Sequence, residues 1–130
     1  MAQAGTKRSP TVMIVDDSDD LRELIGVHLR MLGYQMVEAT NGFEAIEVAR
    51  RTCPSLILMD INMPFLDGLA ATRVIRKTKQ LSNTVIVAFS AYLGGGNREK
   101  ALAAGCNGYV TKMECVDHLA QIMQQYAPIA

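Results

Sequence analysis

Two aspartates, Asp16 and Asp17, follow directly on the apolar run "TVMIV" at residues 11–15, and a third, Asp60, closes the run "SLILMD" at residues 55–60. Like charges so close repel. Asp16 and Asp17 are therefore either solvated acids opening a helix, where the dipole favours them, or one side of a cation site. Two further polar groups stand at the ends of β-rich runs: Ser90 ends "TVIVAFS" and Lys112 follows "GYVT". Three carboxylates, one hydroxyl and one ammonium suit a hard cation such as Mg²⁺, which takes one or two carboxylates plus waters and phosphate oxygens. With the cation bound, the local charge falls and Asp60 stays ionised as a nucleophile. The chemistry such a set could perform is phosphoryl transfer. Its transition state spreads charge over equatorial oxygens, and Lys112 and the cation would neutralise that charge.

These residues can meet only if the elements place them at one edge. Residues 11–15 read as a buried strand. Ser18 caps a helix with Asp19 and Asp20 in its first turn and Leu21, Leu24, Ile25, His28 and Leu32 at helical spacing, stopped by Gly33. Residues 34–39 read as a second strand. Asn41 with Glu44 resembles a capping box, opening a helix to Arg51. Residues 55–60 are almost wholly apolar, as in a strand covered on both faces. Asp67 caps a helix to about Lys79, residues 84–90 form a fourth strand, and Asn97 caps a shorter helix ending near Gly105. Residues 108–111 form a fifth strand, and a last helix runs from about Glu114 to Tyr126. Five strands alternating with five helices imply a doubly wound α/β fold with a parallel sheet and right-handed crossovers. Ligands of such folds bind beyond the carboxyl ends of the strands, where the five polar residues fall.

Composition narrows the field. The chain has 130 residues, enough for one domain, and 49% are hydrophobic. Thirteen basic residues balance thirteen acidic ones, so no basic field points to nucleic acid, and the lack of Trp removes the best stacking platform for bases. No apolar run reaches membrane-spanning length. Cys53, Cys106 and Cys115 are odd in number and far apart, which speaks against a zinc site or a disulfide framework and for reduced thiols in a cytoplasmic protein. Residues 1–9 are small and polar and read as a disordered tail. Residues 10–127 form the domain, and 128–130 a C-terminal end with no output domain expected. "GGGN" at residues 94–97 lacks the Lys and Ser/Thr of a phosphate-binding loop and reads as flexible chain. His28 reads as a boundary residue and His118 as a surface one.

Four segments together resemble the receiver domain of two-component response regulators, of the stand-alone chemotaxis type: "VDDS" (residues 15–18), "LILMDINMPFLDG" (56–68), "FSA" (89–91) and "GYVTK" (108–112). Each alone is weak, but their order and their placement after successive strands make the set specific. The resemblance implies a flavodoxin-like (βα)5 fold with strand order 2-1-3-4-5. It also implies that Asp60 accepts a phosphoryl group from a phosphohistidine of a histidine kinase or histidine phosphotransfer protein. Asp17 would be the main Mg²⁺ ligand, Asp16 would bind directly or through water, and the Asn62 backbone carbonyl would complete the protein's share. Ser90 and Lys112 would hold phosphoryl oxygens. Ser90 would swing inward on phosphorylation and Tyr109 would turn inward behind it, reshaping the face made by the fourth helix, fifth strand and fifth helix for a downstream protein. Asn62 and Tyr92 would border the attacking water and set the phosphate lifetime. The implied protein is a phosphorylation-dependent switch rather than an enzyme, a monomer or a phosphorylation-dependent dimer, with no nucleic-acid or membrane partner.

Two departures stand out. The family usually has proline after the lysine, often in a cis peptide, whereas Met113 follows Lys112 here. A non-proline cis bond costs about 2.5–4 kcal/mol, so either a trans bond with a rearranged loop or a strained cis bond is expected. The three glycines at 94–96 should loosen the loop before the fourth helix. Two other functions remain open on the residues. One is a phosphate-independent receiver-like interaction module, favoured by Met113. The other is a Mg²⁺-dependent phosphatase with an aspartyl nucleophile, since Asp17 and Asp19 have D-x-D spacing.

Overall fold

The computed structural model describes residues 10–63, 65–91 and 96–129. Expectations for the tail 1–9, for Tyr92 and for Gly94 fall outside them. Five strands, β1 (Thr11–Val15), β2 (Gln35–Ala39), β3 (Leu56–Asp60), β4 (Val85–Ser90) and β5 (Gly108–Thr111), form one sheet in the order β2-β1-β3-β4-β5. Every pairing is parallel, as the alternation of strands and helices requires.

Side chains alternate across a strand, and the two cores follow that parity. Val12, Ile14, Leu56, Leu58, Val87 and Phe89 pack on one face against Ile25, Leu29, Leu119 and Met123. Met13, Val15, Ile57, Met59, Ile86 and Ala88 pack on the other against Ala45, Val48, Ala71, Ile75 and Ala101. The three inner strands β1, β3 and β4 are thus covered on both sides, which explains their unbroken apolar sequence. Edge strand β2 keeps Gln35 and Glu38 exposed.

The helices are α1 (Asp19–Met31), α2 (Gly42–Thr52), α3 (Gly68–Arg76), α4 (Asn97–Ala104), α5 (Lys112–Asp117) and α6 (Leu119–Tyr126), with a short 3₁₀ turn at Lys79–Leu81. Ser18, Asn41 and Asp67 cap α1, α2 and α3 through their side chains, as expected.

Four details differ from the sequence reading. The buried stripe of α1 is Arg22, Ile25, Gly26 and Leu29. Leu24, His28 and Leu32 lie outward, because a guanidinium with three acceptors takes the inner position expected of a leucine. Asn97 does not cap α4. Gly96 does, in the left-handed region at φ 72° and without a side-chain bond. The expected extension of α3 to Lys79 stops at Arg76, whose guanidinium donates to the carbonyls of Gly105 and Thr84 and to Asn107, tying α3 to the start of β4 and the α4–β5 turn. The last helix starts earlier than Glu114 and breaks at His118, so it forms two pieces.

Candidate functional site at the carboxyl ends of the strands

Strand ends β1, β3, β4 and β5 deliver Asp16, Asp60, Ser90 and Lys112 to one rim. Parallel strands in register place their carboxyl ends side by side, so residues far apart in sequence become neighbours. Carboxylate oxygens of Asp16, Asp17 and Asp60 lie within 4.8 Å of one another. Asp16 and Asp60 are fully buried, whereas Asp17 is exposed.

The two buried acids are held in the same way. Asp16 Oδ1 accepts the Ser18 N–H at 2.7 Å and Asp60 Oδ1 accepts the Asn62 N–H at 2.9 Å. Their other oxygens face one ammonium: Lys112 Nζ stands 3.1 Å from Asp16 Oδ2 and 3.3 Å from Asp60 Oδ2. A single Lys cannot neutralise three acids. Burial pushes the Asp60 carboxyl up to about 7; Asp16 adds to the rise, and the Asn62 N–H and Lys112 oppose it. Burial alone would lower Lys112, but Asp60 and Asp16 outweigh it and hold the ammonium above its ordinary range. Asp16 Oδ2 is buried and, despite the nearby ammonium, lacks a hydrogen bond of good geometry. A buried acceptor left so is costly. A buried oxygen that takes no hydrogen bond and shares one ammonium with Asp60, amid three carboxylates, fits a hard divalent cation.

Gly68 closes the site from behind. A Cβ there would sit 2.1 Å from the Asp60 carbonyl oxygen and 2.9 Å from Ile61 Cα, so α3 can start against β3 only without a side chain. Asn62 contributes its backbone N–H to Asp60 and its side-chain amide to the Ser90 hydroxyl, at 2.9 Å each. Ser90 is fully buried. Tyr109 is buried too, 5% exposed, under the Arg98 guanidinium 5.8 Å from its ring centre.

No peptide among the described residues is cis. In place of proline the chain enters α5 at once. The Thr111 hydroxyl accepts the Glu114 N–H and Glu114 accepts the Thr111 N–H, a reciprocal capping box that sets the backbone around Lys112. The Thr111–Glu114 spacing was readable as that signal. Arg22 was missed at this site. It lies off the apolar stripe read from the sequence and so gave no sign that Asp16, Asp19 and Glu38 would share it. Asp19, the second acid of the D-x-D spacing, pairs with Arg22 and lies outside the acidic triad.

A sequence model of the response regulator receiver domain matches residues 12–124. The polar-differentiation response regulator DivK of Brucella anthropi is 31% identical over 116 residues, spanning 89% of this chain and 94% of that protein. Hybrid signal transduction histidine kinase F of Dictyostelium discoideum is 32% identical over 96% of this chain, which spans only 12% of that protein. Among solved structures, the receiver domain of the sensor histidine kinase PA1611 from Pseudomonas aeruginosa, with a magnesium ion coordinated in its active-site cleft, is 34% identical with TM-score 0.83, over 91% of this chain and 97% of that one. The receiver domain of Saccharomyces cerevisiae Ssk1, crystallised with the histidine phosphotransfer protein Ypd1, is 28% identical with TM-score 0.84, over 92% of this chain and 89% of that one. Family members are signalling switches that work with histidine kinases and phosphotransfer proteins. No helix among the described residues is long and apolar enough to cross a membrane. With the acidic triad, Lys112 and the sheet order in place, the chain belongs to the response regulator receiver domain family and is a phosphoacceptor response regulator.

Proposed function

We propose that Asp60 is the phosphoacceptor, that the cation is Mg²⁺, and that the donor is a phosphohistidine on a histidine kinase or histidine phosphotransfer protein in the cytoplasm. The convergence of Asp16, Asp17 and Asp60 around one small volume beside Lys112 carries the reading. An oxygen of Asp60 attacks phosphorus as the P–N bond to the donor imidazole breaks, and the imidazole leaves with the bonding pair. Bound Mg²⁺ supplies charge neutralisation for the phosphoryl oxygens and for the acids.

The chain's own residues do the rest. Asp17, Asp16 and the Asn62 carbonyl hold the cation. Lys112 sits where it can turn from the carboxylates toward a phosphoryl oxygen, and the Ser90 hydroxyl, now bonded to Asn62, takes another. Asn62 borders the water that hydrolyses the acyl phosphate. Recruitment of Ser90 alters what packs behind β4, and Tyr109 passes the change to the α4–β5–α5 face, which a downstream protein or a second copy of the chain reads. Residues 10–127 form the working domain.

The test is transfer from a radiolabelled phosphohistidine protein. Label should move to the parent chain with Mg²⁺ present and fail to move to Asp60→Asn. Label reaching both equally, or neither across a panel of kinases, contradicts the assignment.

A further inference from the structure

Arg22 is the largest polar side chain buried in α1, with only 8% of the residue exposed. Its guanidinium is divided among three acceptors. One nitrogen donates to the Asp16 backbone carbonyl at 2.6 Å, one to Glu38 on β2 at 2.8 Å, and one to Asp19 at the start of α1. Burial alone would lower its pKa, but Glu38 and Asp19 outweigh it and keep the charge.

The carbonyl it grips belongs to the peptide joining Asp16 to Asp17. That unit is planar, so fixing the oxygen of Asp16 also fixes the amide nitrogen and Cα of Asp17, the point from which its side chain departs. Asp17 needs such help. Its carboxylate is exposed and, among the described residues, is held by no hydrogen bond or ion pair. Asp16 is held through its own oxygens by Ser18 and Lys112. We propose that Arg22 is a positioning residue for the cation site: it clamps the β1–α1 turn to β2 so that Asp16 and Asp17 face the same ion. The proposal rests on the reading that the acidic triad binds a divalent cation.

The sign of the effect separates this role from two others. Arg22 carries a positive charge near three acids, so by charge alone its removal would tighten cation binding. A merely structural role would lower thermal stability and leave the affinity of the folded protein unchanged. A positioning role weakens binding, by about 10–100-fold where an outer partner of metal ligands is lost.

The experiment is Mg²⁺ titration of the full chain by calorimetry, with Mn²⁺ paramagnetic resonance as a second readout, on the parent, Arg22→Ala, Arg22→Lys and Asp17→Asn. It is run well below the melting temperature of each. Arg22→Ala should weaken binding about tenfold or more, and the Ser18 amide, bonded to Asp16, should exchange faster by NMR. Arg22→Lys keeps the charge but not the three-way fork, so it should fall between parent and alanine variant. It also serves if the alanine variant does not fold. Unchanged or tighter binding in the folded Arg22 variants, with the parent binding and Asp17→Asn not, overturns the proposal alone. A parent that binds neither ion overturns the cation reading and this proposal with it.

Discussion

The side-chain amide of Asn62 donates to the Ser90 hydroxyl across 2.9 Å, joining the loop after β3 to the end of β4. Asn62 also gives its backbone N–H to the phosphoacceptor candidate. The residue therefore restrains both Asp60 and the hydroxyl expected to receive a phosphoryl oxygen. A net hydrogen bond is worth about 1 kcal/mol, or roughly fivefold in an equilibrium. Asn62→Ala should then bind the phosphoryl mimic fluoroberyllate about fivefold more tightly, measured by competition with Mg²⁺ held constant. Weaker or equal binding would show that Asn62 does not compete for Ser90.

Asp60 makes the metal-free protein sensitive to pH. Its folded pKa, about 7, lies above the ordinary carboxylate value of 3.8, so the folded state holds a proton that the unfolded chain releases. This contribution is fully present below the unfolded value and is lost as pH rises through the folded one. In EDTA, the parent should lose more stability between about pH 4 and pH 7 than Asp60→Asn does. Parallel denaturation midpoints for the two proteins over that window would contradict the burial argument. Added Mg²⁺ should restore stability most at the upper end, where Asp60 is ionised.

Gly68 sets how closely α3 approaches the end of β3 at Asp60. The side chain of Gly68→Ala would collide with the Asp60 carbonyl, a backbone atom that cannot swing away. Overpacking of this kind costs about 1–3 kcal/mol. Chemical denaturation should show that loss together with weakened Mg²⁺ binding, because the end of β3 must shift. Native stability and native affinity together would contradict the close approach.

Arg98 roofs Tyr109 and also donates to its carbonyl at 3.4 Å. A cation over an aromatic face contributes about 0.5–1 kcal/mol at a partly exposed site. In protein labelled with 3-fluorotyrosine, Arg98→Ala should shift and broaden the Tyr109 resonance before any phosphorylation. An unchanged resonance would remove Arg98 from the switch.

Much of this was legible from residue order. The apolar runs of β1, β3 and β4 announce central parallel strands, and the caps Ser18, Asn41 and Asp67 mark where three helices begin. Asp16, Asp17, Asp60, Ser90 and Lys112 were readable as one site because parallel strand ends converge. Sequence patterning failed where a long-range contact outweighed a local preference. Arg22 reads as a surface residue until Glu38 on another strand is brought beside it, and that inward turn carries Leu24 and Leu32 to the outside. The break at His118 had no proline or glycine to announce it. The Arg98 guanidinium that α4 brings over the Tyr109 ring is likewise a contact that periodicity does not encode.

The most direct test of the central assignment needs no partner. The chain is incubated with acetyl phosphate and Mg²⁺ and its intact mass is measured, beside Asp60→Asn and a sample in EDTA. The parent alone should gain the mass of one phosphoryl group. A gain of equal size in Asp60→Asn, or its persistence in EDTA, would contradict an acyl phosphate formed on Asp60 beside a divalent ion.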